Sequence, residues 1–105
     1  MLPEPIASPE AAVQIESIDA WWRGNRPAAP DLFREELAAA VLAIRTLPQM
    51  GRPIRHPIVK GLRRVVLRAT RNHVYYVVHR DVIFILAVWG AVRGSGPKLA
   101  PPPGH

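Results

Sequence analysis

Residues 63–90 read RRVVLRATRNHVYYVVHRDVIFILAVWG, and this stretch decides the fold. Valine, isoleucine and aromatic residues, which suit a pleated and half-buried surface, dominate three runs: 63–70, 73–79 and 82–90. Arg71-Asn72 and Arg80-Asp81 separate them, two residues at each break, so the spacing predicts a three-stranded antiparallel sheet joined by hairpins. Side chains alternate across a sheet, so those turns assign the faces. Val65, Leu67, Ala69, Val74, Tyr76, Val78, Ile83, Ile85, Ala87 and Trp89 fall on one side, apolar but for one hydroxyl. The other side carries Arg64, Val66, Arg68, Thr70, His73, Tyr75, Val77, His79, Phe84, Leu86 and Val88. A four-residue turn keeps these faces; a bulge does not.

Upstream of the strands the period is helical. Ser8-Pro9-Glu10 is a helix start, with a capping hydroxyl, a proline for the first position and an acid for the dipole. Ala11, Ile15, Ile18 and Trp22 follow on one face, and Gly24-Asn25 ends the run. A second helix starts near Pro30-Asp31 with Phe33, Leu37, Ala40, Val41 and Ile44 as its stripe, and Pro48 stops it. The short connection predicts an antiparallel helical hairpin packed on the apolar face of the sheet. Residues 2–7 can form a short N-terminal strand, which Pro3 and Pro5 confine to a sheet edge. The class is α+β. Residues 1–94 form one domain and 95–105 a Pro/Gly-rich mobile tail.

Composition removes several functions. There is no cysteine, hence no disulfide, thiolate metal site or thiol nucleophile, and the expected compartment is the reducing cytoplasm. Residues 1–10 hold three prolines and two acids, unlike a signal peptide, and the most apolar run, 82–92, is too short to cross a membrane. No histidine–carboxylate group has metal-ligand spacing, and no cofactor or phosphate loop is indicated.

Charge is the informative feature. The net value is +6, with four arginines against seven acids in residues 1–50 (net −3) and ten basic residues against Asp81 in 51–105 (net +9). Such asymmetry speaks of partners: nucleic acid, an acidic protein or an acidic peptide that folds on binding. The mixed sheet face, with Arg64, Arg68, Tyr75 and His79, suits either a protein partner or RNA, where arginine holds phosphate and aromatic rings stack on bases. His73 and His79 have no carboxylate placed to orient them, so their default role is that of strand residues. Trp21-Trp22 reads as a packing pair.

The ordered set Ile18-Asp-Ala-Trp-Trp22, Arg26-Pro-Ala-Ala-Pro30, Leu47-Pro48, Gly51-Arg52-Pro53, Gly61-Leu-Arg-Arg64, His73-Val-Tyr-Tyr76, Ile85-Leu-Ala-Val-Trp89 and Arg93-Gly-Ser-Gly-Pro97 resembles the RelE/ParE superfamily of toxins from bacterial type II toxin–antitoxin pairs, also called plasmid-stabilisation proteins. The resemblance spans roughly residues 6–99. It implies a cognate antitoxin that covers the sheet and grooves, and operator DNA bound only through that antitoxin. Antitoxin or target would meet Arg63, Arg64, Arg68, Tyr75, His79, Phe84, Leu86 and Arg93. The superfamily divides into ribosome-dependent mRNA nucleases and ParE-like inhibitors of DNA gyrase. Nuclease chemistry must activate a 2′-hydroxyl, stabilise the phosphate and protonate the leaving oxygen. On the resemblance, that set here is Arg64, Arg68, His73 and Arg93. It is incomplete: Val66 separates the two arginines, His73 stands where the nucleases tend to have arginine, and no tyrosine follows Arg93. The gyrase-type expectation is therefore favoured, the ribonuclease is the alternative, and a basic binding module without toxicity is the third.

Overall fold

Ser8 starts the first helix as its chemistry requires. In the computed structural model, which describes residues 1–91 and 96–104, Ser8 is extended (φ −62°, ψ 159°) and its Oγ accepts from the Ala11 N–H at 3.1 Å. The elements run β1 (Ile6–Ala7), α1 (Pro9–Asn25), α2 (Leu32–Thr46), β2 (Arg52–Pro53), β3 (Arg63–Leu67), β4 (Asn72–His79) and β5 (Val82–Gly90). Asp31 flanks α2 but makes no side-chain cap; its carboxylate pairs with Arg23 at 2.8 Å instead. Two arginines meet on Asp19 and join the helices: Arg23 Nε lies 3.1 Å and Arg34 Nε 3.3 Å from its Oδ2. Burial alone would raise the Asp19 carboxyl, but these guanidiniums hold it below its ordinary value.

The α+β class is as expected, but the sheet is five-stranded and mixed, in the order β1-β5-β4-β3-β2, rather than three-stranded and antiparallel. β1 is an edge strand, parallel to β5, with Ile6 opposite Phe84 and Ala7 opposite Ile85. Two residues are enough because the Ser8 N–H continues the ladder to the Ile85 carbonyl at 2.9 Å. β2 pairs antiparallel with β3 at the other edge, through Arg52–Arg64 and Pro53–Arg63. Its proline has no N–H to donate, which an edge tolerates.

The two hairpins differ. Between β4 and β5 the turn is the two residues predicted, with both Arg80 (φ 51°) and Asp81 (φ 61°) left-handed, as that turn requires. Between β3 and β4 it takes four residues, because Leu67 pairs with Asn72. Glu36 of α2 fixes this longer turn, accepting from Ala69 N–H (2.7 Å), Thr70 N–H (3.1 Å) and Thr70 Oγ1 (2.6 Å).

A bulge corrects the predicted faces. Tyr75 pairs with Ala87 but Tyr76 with Ile85, so Leu86 is the extra residue. Beyond it the alternation inverts. Val88 enters the helix-side core with Ala11, Phe33, Leu37, Leu67, Val74 and Ile85. Ala87 and Trp89 move to the second face with Tyr75, Val77 and Leu86. Gln14 Oε1 accepts from the Val88 N–H at 2.9 Å and the Leu86 carbonyl accepts from Ser8 Oγ at 3.2 Å, so α1 serves backbone groups around the bulge. The second face is not bare either. Val59 and Leu62 of the β2–β3 loop are buried on it, and Ile54 and Leu99 pack alongside.

Tyr76 centres the remaining core cluster, with Ile44 and Ile83. Its hydroxyl donates to the Pro48 carbonyl (2.8 Å) and accepts from the Gly51 N–H (2.9 Å), tying the end of α2 to the sheet.

Candidate functional site

Alternation along β3 and β4 brings three polar side chains together on the second face. Arg64 pairs with Tyr75, and His73 sits two pairs further along, opposite Val66 and Trp89. The His73 and Tyr75 rings meet edge to face, with centroids 6.1 Å apart. Arg64 Nε is buried and has no hydrogen-bond partner. Burial, and next the Arg64 charge, hold the His73 imidazole below its ordinary value, so it favours the neutral, proton-accepting form. Among the described residues no strand of this face carries an acid: seven acids belong to the segment before β2, where Glu10 reaches the far end of the face beside Phe84 and Leu86, and Asp81 belongs to the β4–β5 turn.

The other expected residues are placed differently. Arg68 is exposed in the β3–β4 turn, past the end of the strand, and does not share the face with Arg64. His79 ends β4, four residues from Tyr75 and thus about 13 Å away. Arg63 points to the helix side, where its Nη1 donates to the carbonyls of Gln49 (3.0 Å) and Gly51 (2.8 Å). Phe84 and Leu86 lie on the second face near β1 and the C-terminal segment. Arg93 lies outside the described residues.

The charge asymmetry of the sequence becomes a division of the surface. Every ion pair among the described residues joins Arg23, Arg34 or Arg45 to an acid of the first half. The lysines and arginines from Arg52 to Lys98 make none there, so the sheet and its loops keep their positive charge uncompensated. One further groove escaped the sequence reading. It encloses 830 Å³ between α1 and the β3–β4 turn, with Trp21, Trp22, Arg26, Arg71 and Trp89 among its walls. The Arg26 guanidinium stacks 5.1 Å from the Trp21 ring centre and 5.8 Å from that of Trp22, and Trp21 remains 48% exposed. The signal was present in Trp21-Trp22 and Arg26, but only the fold brings Arg71 and Trp89 across from them.

Among the described residues no three histidines or acids gather as a metal site, and no helix is long and apolar enough to cross a membrane.

Comparison with known proteins agrees with that order of elements. No curated protein matches the chain. A family model does, described as the ParE toxin of the type II toxin–antitoxin system, parDE, and it matches residues 6–93. That span runs from β1 through β5, and the chain therefore belongs to the ParE family of toxins, each paired with a cognate antitoxin.

Proposed function

We propose that this chain inhibits DNA gyrase in the cytoplasm and is neutralised by its own acidic antitoxin, which also carries the pair to operator DNA. The observation that supports this reading most is the uncompensated charge. The described arginines and lysines between Arg52 and Lys98 have no acid paired to them among the described residues. A partner rich in aspartate and glutamate meets them without first breaking internal ion pairs. Antitoxin and target both fit the exposed part of the second face and the Trp21–Arg26 groove.

The test is purified chain added to gyrase. Loss of supercoiling, or trapped cleaved DNA, reversed by the antitoxin encoded beside it, is the expected result. Unchanged supercoiling and cleavage at saturating protein would refute the target.

One observation favours ribosome-dependent mRNA cleavage as a second reading: Arg64, His73 and Tyr75 stand together. Arg64 would hold phosphate and neutral His73 would take the 2′-hydroxyl proton. The weakness is the leaving oxygen, since a neutral imidazole next to a cation is a poor acid. Induced expression separates the readings. Growth arrest with intact transcripts supports gyrase; cuts in ribosome-bound mRNA that vanish on His73→Ala support the nuclease.

A further inference from the structure

The C-terminal segment 96–104 reads GPKLAPPPG. Four of its nine residues are proline and offer no N–H, so it is a poor candidate for a sixth strand. Proline-rich chain favours the polyproline II helix, whose three residues per turn bring positions i and i+3 to the same side. Leu99 and Pro102 stand in that relation, and they are the residues that turn inward. Pro102 is buried, and half-buried Leu99 packs on the second-face cluster that contains Leu86. Pro97 is half-buried as well, and Lys98, Ala100, Pro101 and Pro103 are exposed. The wall opposite is formed by Ile6 of β1 and by Phe84 and Leu86 of β5.

Two features make this a site rather than incidental packing. First, the Leu86 bulge turns an additional apolar side chain toward the second face at the point where β1, only two residues long, stops covering β5. The resulting apolar surface would otherwise face water. Second, the hold that Leu99 has on this face is apolar contact with the second-face cluster. A hold made through a few apolar side chains exchanges readily with another segment of like form.

We infer that Ile6, Phe84 and Leu86 form a binding site for an extended segment with apolar anchors three residues apart, and that the chain's own Leu99–Pro102 closes this site in cis. Any second protein that uses this face must displace the strap first. Tethering supplies the strap at a high effective concentration, whereas a partner arrives from dilute solution. The strap thus lowers the apparent affinity of a partner segment by the fraction of time for which the site stands open.

The test uses the full chain, its Leu99→Asp variant and an N-acetylated peptide of residues 96–104, followed by the amide NMR signals of Ile6, Phe84 and Leu86. In the variant these signals move relative to the unaltered chain, and the peptide then binds at least tenfold more tightly to the variant than to the unaltered chain. A peptide carrying the same aspartate does not bind. Leu99→Ala gives a smaller shift in the same direction, and an unchanged far-ultraviolet spectrum for both variants shows that the fold is intact. Signals at Phe84 and Leu86 that do not respond to either substitution, or equal peptide binding by variant and unaltered chain, would overturn the inference.

Discussion

Gly51→Ala tests how the end of α2 is locked to the sheet. A Cβ at position 51 would stand 2.6 Å from Tyr76 Oη, 2.7 Å from Tyr76 Cε1 and 3.0 Å from Arg63 Cβ. Real Cβ atoms do not approach below 3.0 Å, so the tyrosine must retreat by at least about 0.4 Å, the difference from 2.6 Å. It has nowhere to go: the Tyr76 side chain is fully buried, between Ile44 and Ile83. Retreat also stretches the bonds to Gly51 N–H and the Pro48 carbonyl. Overpacking costs about 1–3 kcal/mol and a weakened buried hydrogen bond about 1–3 kcal/mol. We therefore expect a loss of about 3 kcal/mol, a large part of the ~5–15 kcal/mol that holds a domain of this size. Tyr76→Phe should cost about 2 kcal/mol by leaving Gly51 N–H and the Pro48 carbonyl unpaired. In that background the nearest clash is gone, so Gly51→Ala should cost about 1–2 kcal/mol less than alone. Urea unfolding of the four proteins measures this, since 3 kcal/mol at a slope of ~1.5 kcal/mol per molar moves the midpoint by about 2 M. Additivity within about 0.5 kcal/mol, or a Gly51→Ala midpoint near that of the unaltered chain, would refute the account. The hydroxyl adds a pH signature. Burial raises Tyr76 above its ordinary value of about 10, so the native state keeps the proton longer than the unfolded one. Its contribution is complete below about pH 10 and is lost as pH rises beyond it, and Tyr76→Phe should remove that part of the alkaline slope.

His73 should titrate below about 6.5 by NMR, and Arg64→Gln should raise its midpoint while leaving it still depressed, since burial is the larger cause. The sign follows: the neutral form is favoured on folding, so this term is complete above about pH 6.5 and fades as pH falls through the depressed value. Replacing Arg80-Asp81 by Asn-Gly should stabilise the chain by about 1 kcal/mol in urea melts, because both positions have positive φ that those residues adopt more easily. Ser8→Ala should cost about 1–2 kcal/mol in the same assay, losing the cap on Ala11 and the bond to the Leu86 carbonyl together.

Legibility in the sequence followed the length and regularity of each signal. Both helices carried period and stop, and the first a cap as well, and they form with the predicted stripe facing the core: Ala11, Phe33 and Leu37 buried, Ile15, Ile18, Trp22, Ala40 and Val41 packed beside them. The β4–β5 turn was plain because two apolar runs flank Arg80-Asp81 closely. β2 was hidden, since Arg52–Pro53 is too short to show alternation and contains a proline. The parallel partner of β1 was equally hidden, for nothing in Ile6-Ala7 names a strand 78 positions away. The bulge cost the faces of Ala87, Val88 and Trp89, because alternation read from sequence cannot see an extra residue that the partner strand imposes. At the site, the grouping of Arg64, His73 and Tyr75 followed from alternation, whereas Arg68 needed the strand to continue past Leu67, where the turn that Glu36 fixes begins.

The pairing of β1 with β5 has a consequence for the birth of the molecule. Ile6 and Ala7 leave the ribosome 78 residues ahead of their partners Phe84 and Ile85. Until β5 emerges, β1 has no neighbour in the sheet and α1 lacks the strand it packs on most. The nascent chain therefore lacks the finished surface that a target would recognise until both strands are out. Recognition of any target by the finished surface is thus postponed, by topology alone, until β5 has been translated.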